Sequence, residues 1–132
     1  NSIASEVYNS ISIVPGKAGT TSKGRGEVYV LKEPEKLGGA VRRTGRTKDL
    51  DRRKNEHAKD PNTKDLNYEE VFRTDNYAEQ RGLEHMLYEE HSNTANKANG
   101  GLNVNKPIRD DNPKKKDYIK AAEEFLKKKN NE

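Results

Sequence analysis

The sequence predicts an α+β domain: a small three-stranded antiparallel sheet flanked by helices, with a further helix at the C-terminus. Short β-rich runs at 27–31, 40–45 and 67–73 alternate with segments whose apolar residues recur at helical spacing. A length of 132 residues suits one compact domain. Only 29% of the chain is apolar, but those residues are grouped, chiefly at 28–31, 66–72, 83–87 and 118–126. A small core inside long, solvated loops is expected. The net charge of +4 is too modest for the self-repulsion that usually accompanies disorder.

The elements follow in order. Residues 1–14 carry a weak apolar pattern that stops at Pro15-Gly16, and Gly, Ser, Thr and Lys fill the chain to Gly26. Residues 1–25 therefore read as a flexible connector and 26–132 as the folded domain. Glu27-Val28-Tyr29-Val30-Leu31 is a strand, Gly38-Gly39 a turn, and 40–45 a returning strand, together an antiparallel hairpin with a long loop. Thr47 or Asp49 caps a helix over about 50–58, which Pro61 ends. A third strand runs from Asn67 to Arg73. Thr74 or Asp75 caps the next helix, over about 77–91, with Leu83, Met86 and Leu87 on its apolar side. The Asn- and Gly-rich stretch 93–105 reads as loop. After Asn112-Pro113 a last helix presents Tyr118, Ala121, Ala122, Phe125 and Leu126 as one packing stripe.

Several classes are excluded. No stretch approaches the roughly 20 apolar residues that span a bilayer. Without Cys there is neither a disulfide framework nor a thiolate metal site. The chain begins at Asn1 rather than Met, which reads as a fragment or a processed product. Charge is uneven: Arg42, Arg43, Arg46, Lys48, Arg52, Arg53 and Lys54 stand against Asp49 and Asp51, whereas 60–90 is acidic. A concentrated basic surface suits a polyanion, because phosphate contacts release counterions and steer association. On composition alone, an ordinary solvated face is the favoured reading.

Val28-Tyr29 followed by Arg43-Thr44-Gly45-Arg46-Thr47 resembles the paired strands that give GIY-YIG nucleases their name. The similarity continues through Lys48-Asp49-Leu50 to Arg53, eight residues after Gly45, and His57, one helical turn later. That spacing of four puts Arg53 and His57 on one helix face. Downstream, Glu79-Gln80-Arg81-Gly82-Leu83-Glu84 resembles the family's metal-binding helix, and Leu102-Asn103 its terminal substrate-positioning asparagine. The resemblance runs from Val28 to Asn103, more than half the chain. Glu27 stands where the name-giving glycine belongs, and Arg43 where a tyrosine belongs.

The resemblance implies a metal-dependent endonuclease that hydrolyses nucleic-acid phosphodiester bonds, with DNA ahead of RNA. It assigns Tyr29, Arg53, His57 and Glu84 to catalysis, with Glu84 also the ligand of Mg²⁺ or another divalent cation. Arg43, Arg46 and Asn103 become substrate-binding residues. The chemistry is coherent. A carboxylate is a hard oxygen ligand for Mg²⁺, and a guanidinium holds a scissile phosphate by paired hydrogen bonds. With Arg43 in place of tyrosine, His57 becomes the better base, since its ordinary pKa lies near neutrality. Tyr29 would orient the attacking water or help deprotonate it.

Among GIY-YIG-like domains the chain is most similar to toxin domains at the C-termini of polymorphic, contact-dependent bacterial effectors. That similarity implies a monomer delivered into the cytoplasm of a target cell. It also implies an acidic immunity protein that neutralises the domain at home. Two rivals stand beside this reading: a non-catalytic nucleic-acid-binding module on the same fold, and a protein-interaction domain that works through the acidic helix and the C-terminal stripe. Taken singly, each residue has a plain reading too: Tyr29 as a core-rim ring, Arg53 and His57 as a solvated helix face, Asn103 as a turn residue. His85 and His91 match no familiar zinc spacing and read as surface or packing residues. Gly82, inside a helix, reads as a close approach to the sheet.

Overall fold

A computed structural model describes residues 26–130, so the expected connector 1–25 lies outside the described residues. The fold is α+β, as the pattern predicts. Strand β1 (Gly26–Lys32) is the centre of a three-stranded antiparallel sheet, with β2 (Val41–Thr47) on one side and β3 (Asn67–Thr74) on the other. The β1–β2 loop turns through a short 3-10 segment and then through Gly38 and Gly39, both at positive φ.

Side chains alternate across the pleat, which gives the sheet two unlike faces. Val28 and Val30 point to one side and join Val71, Phe72, Leu83, Met86, Leu87, Ala122, Phe125 and Leu126 in the hydrophobic core. Glu27, Tyr29 and Leu31 are buried as well, but on the opposite face, beneath helix α1 (Leu50–Lys59). Asp49 caps α1, accepting from the Arg52 amide at 3.1 Å. The only buried residue of α1 is His57. This helix is thus held to the sheet by a polar contact more than by apolar area.

Helix α2 (Tyr77–Glu90) is capped by Asn76 rather than by Thr74 or Asp75. The Asn76 side chain accepts from the Glu79 amide at 3.0 Å, while the Thr74 hydroxyl donates to the Glu79 carboxylate and accepts from the Asn76 amide. Sequence alone ranks these neighbouring caps equally, and the point where β3 releases the chain decides between them. The stretch expected to be loop holds more order than that. It forms a one-turn helix α3 (Ser92–Ala95), a 3-10 turn (Lys97–Asn99) and a bridge between Asn96 and Asn103. Helix α4 (Lys115–Asn130) packs on α2 through Tyr118, Ala122, Phe125 and Leu126. Among the described residues no helix is long and apolar enough to cross a membrane.

Gly82 makes a close approach, but to α4 rather than to the sheet. A β-carbon there would meet the Tyr118 carbonyl oxygen and come within 2.7 Å of Ala122 Cβ. The opposing atom is backbone and cannot swing aside. Gly82→Ala is therefore expected to lower unfolding stability by about 1–3 kcal/mol, the usual cost of overpacking, despite gaining about 1 kcal/mol in helix propensity. A urea melt whose midpoint stays put or rises would contradict the α2–α4 contact.

Candidate functional site

Tyr29 lies opposite Gly45 across the β1–β2 ladder. A β-carbon at 45 would stand 2.6 Å from both Cζ and the hydroxyl oxygen of Tyr29. The absent side chain lets the phenol lie across the edge strand. From the other flank Tyr68 of β3 stacks on the same ring, with centroids 4.6 Å apart. Held between strand and ring, the Tyr29 hydroxyl meets His57 Nε2 at 3.0 Å in a buried hydrogen bond. Thr63 steadies the end of α1 by donating to the His57 carbonyl oxygen at 2.6 Å.

Burial pushes the Tyr29 phenol above its ordinary pKa, against the pull of Arg53 and then Arg43. Burial also holds the His57 imidazole below its ordinary value, reinforced by Arg43 and Arg53. The pair therefore rests as neutral phenol and neutral imidazole, with two guanidiniums close enough to act on both. Arg53 pairs with Glu56 on its own helix at 3.2 Å, and its Nε is buried without a partner. Arg43 makes no ion pair within 4 Å among the described residues.

Glu84 approaches from α2, on the other side of the sheet. Its Oε1 lies 3.2 Å from Arg46 Nε, and its side chain is 16% exposed. Burial raises its carboxyl pKa, opposed first by Arg46 and then by Arg81 and Arg53. Arg46 pairs with Val28 in the ladder, so it belongs to the core-side face, whereas Arg43 pairs with Leu31 on the α1 side. The two faces meet because β2 is an edge strand. An open cleft of about 370 Å³ runs beside that edge, lined by Arg43, Thr44, Glu84, Asn103 and their neighbours. Arg43 and Glu84 thus share one concavity although they leave opposite faces.

The structure brings most of the expected residues into one neighbourhood. Tyr29, Arg53 and His57 cluster on the α1 side, Arg46 and Glu84 pair on the α2 side, and Arg43 faces both. Asn103 also reaches the cleft, but its amide is spent on the edge strand. Thr44 N donates to Oδ1 at 3.1 Å, and Nδ2 donates to Thr44 Oγ1 at 3.0 Å. Asn103 satisfies backbone that an edge strand would leave to water, and anchors its loop. His85 is buried against Tyr88 and Glu89, a packing residue away from this cluster.

Sequence reading missed the support under Tyr29. Glu27, 3% exposed, accepts from the Tyr68 hydroxyl at 3.0 Å and from Arg73 at 3.0 Å. Burial still holds the Glu27 carboxyl above its ordinary pKa, with the Tyr68 bond working against that rise. A buried carboxylate at 27 looks costly until β3 supplies its two donors. The alternation Tyr68, Glu70 along β3 is the one signal in the sequence that a second polar row faces Tyr29.

Among the described residues no three His, Cys, Asp or Glu converge on one point. A cation held wholly by protein ligands, as structural zinc is, does not fit. Mg²⁺ fits better, since it keeps several waters and needs only one or two carboxylates besides the phosphate. Glu84 meets that requirement at the cleft, with Arg46 engaging Oε1. No family model, curated protein or solved structure matches the chain.

The electrostatic link between Arg43 and the imidazole is measurable. The His57 ring should titrate below 6.5 in the folded protein, because the charged form is both desolvated and beside a cation. Removing that cation in Arg43→Ala should move the midpoint upward, as NMR of the imidazole protons would record. An unmoved or lowered midpoint would separate Arg43 from the Tyr29–His57 pair.

Proposed function

We propose that the domain is a metal-dependent endonuclease that hydrolyses nucleic-acid phosphodiester bonds. On this reading it is the toxic part of a secreted antibacterial effector, acting in the cytoplasm of its target cell. The observation that carries the catalytic half is the buried Tyr29–His57 hydrogen bond set among Arg43 and Arg53, with Glu84 in a cleft that Arg43 shares. The toxin half rests on the resemblance of Arg43 through His57 and Tyr77 through Glu84, together with the basic stretch 42–54. An acidic immunity protein covering that stretch would be its natural partner.

In this mechanism the scissile phosphate lies against Arg43 and Arg53, whose guanidiniums bind its non-bridging oxygens and offset the charge that grows there. A water is oriented by the Tyr29 oxygen. As it attacks phosphorus, its proton passes to Tyr29 while the Tyr29 proton passes to His57 Nε2. Burial disfavours a free phenolate, so a relay that never leaves one standing suits this pair. Glu84 would hold a divalent cation, which when bound would supply neutralisation of the charge that develops in the reaction. Arg46 keeps the Glu84 carboxylate aimed at the cleft. The departing alkoxide takes its proton from solvent, and His57 returns its own by the same route.

Plasmid DNA and total RNA, each incubated with Mg²⁺ and with a chelator, test this directly. Cation-dependent cleavage is expected, slowed about 10²–10⁴-fold in His57→Ala and about 10²–10³-fold in Arg53→Ala. Glu84→Gln, similar in shape but uncharged, should abolish the cation dependence. Because the His57 pKa is lowered, the neutral base persists on acidification, and the acid limb of kcat/KM should lie below pH 6.5. Salt-sensitive binding without any cleavage would instead favour the non-catalytic module, and neither binding nor cleavage the protein-interaction domain.

A further inference from the structure

Beside the Glu84 cleft lies a second group of cations, of which this reaction uses only Arg46. Tyr77, the first residue of α2, is 44% exposed. Around its centroid stand the Arg46 guanidinium at 5.1 Å, the Arg81 guanidinium at 5.5 Å and the Lys48 ammonium at 5.9 Å. Three cations about one ring repel one another. The electron-rich face of the phenol offsets part of that repulsion, and Glu84 pairs directly with Arg46 while acting on Arg81 from further off. Lys48 and Arg81 make no ion pair within 4 Å among the described residues.

Arg81 is fixed in place without a direct ion pair. It donates to the Tyr77 hydroxyl at 2.6 Å and to the Pro107 carbonyl at 3.1 Å, and its guanidinium sits 4.9 Å from the Tyr118 ring. Each of these partners is uncharged, so its charge is offset only by the more distant Glu84 carboxylate. A held guanidinium next to an exposed lysine matches a phosphate group, one planar donor fork and one point charge. Arg46 joins this cluster to the cleft. Its Nε engages Glu84 while its guanidinium reaches the Tyr77 ring, so one side chain separates the two places.

We propose that Lys48, Arg81 and Tyr77, together with Arg46, form a second phosphate subsite that grips the nucleic-acid backbone beyond the phosphodiester being cut. The identity of the ligand rests on the nuclease reading; the cluster itself does not. A strand that follows Arg46 passes from the cleft to the cluster, whereas a single nucleotide fills only one of them. The subsite therefore selects a polymer over a mononucleotide, and it contacts the backbone irrespective of base sequence.

The test uses the full chain, chelator to prevent cleavage, and fluorescein-labelled single-stranded oligonucleotides of differing sequence, with anisotropy read over a range of salt concentrations. Lys48→Gln should weaken binding to every oligonucleotide alike and reduce the slope of log affinity against log salt by about 0.7, the value for one phosphate contact on a single strand. Arg81→Gln should do the same. Lys48 is exposed, so its variant keeps the fold, as an unchanged thermal melt would verify. Unaltered affinity and slope in both variants would overturn the subsite. A chain that binds through the cluster yet never cuts would sink the nuclease reading alone. One that cuts while both variants bind as wild type would sink the subsite alone.

Discussion

The phenol of Tyr29 lies across an edge strand because position 45 carries no side chain, and the rest of the site depends on that clearance. With any β-carbon at 45 the ring could not reach His57 Nε2 in its present pose. The contact does structural duty as well, since His57 is the one residue that α1 buries. A single polar pair thus docks the helix that carries Arg53, and the burial it requires keeps both of its members neutral. The Tyr68–Glu27–Arg73 group beneath stiffens the arrangement, because a buried carboxylate must keep its donors.

The second constraint is topological. β1 lies at the centre, which leaves β2 at an edge. Alternating side chains of a central strand point to separate layers that never meet. Those of an edge strand can converge around its rim. Arg43 and Arg46, three residues apart, leave β2 towards opposite layers, yet the cleft beside Thr44 and Asn103 brings Arg43 and Glu84 together. Asn103 closes the account by binding the Thr44 amide and hydroxyl. A strand edge that would otherwise invite pairing with another chain becomes one wall of a cleft.

Much of this was legible in the chain. The three strands, the helices over 77–90 and 115–130 and the packing stripes of those two helices follow from periods of 2 and 3.6 in short apolar runs, and the helix over 50–59 from its cap and Pro61. The helical spacing of four put Arg53 and His57 on one face of α1, whereas the pairing of Gly45 with Tyr29 came only from the strand register across a long, bulged hairpin. What stayed hidden rests on contacts distant in sequence. Glu27 finds Tyr68 and Arg73 only once β3 pairs with β1, and the Gly82 contact is with α4, not the sheet. The order within 92–103 comes from Asn and Thr side chains serving backbone groups, which leaves no hydrophobic period to read.

The sequence by itself determined which segments are strands and helices and which of their faces are apolar, because those properties depend on neighbours within a turn or two. Only the tertiary structure decided that residues from two opposite sheet layers share one cleft, and that three cations gather on Tyr77. Both follow from which strand occupies the edge, and that choice is made by strand pairing across some forty residues, where local propensity carries no information.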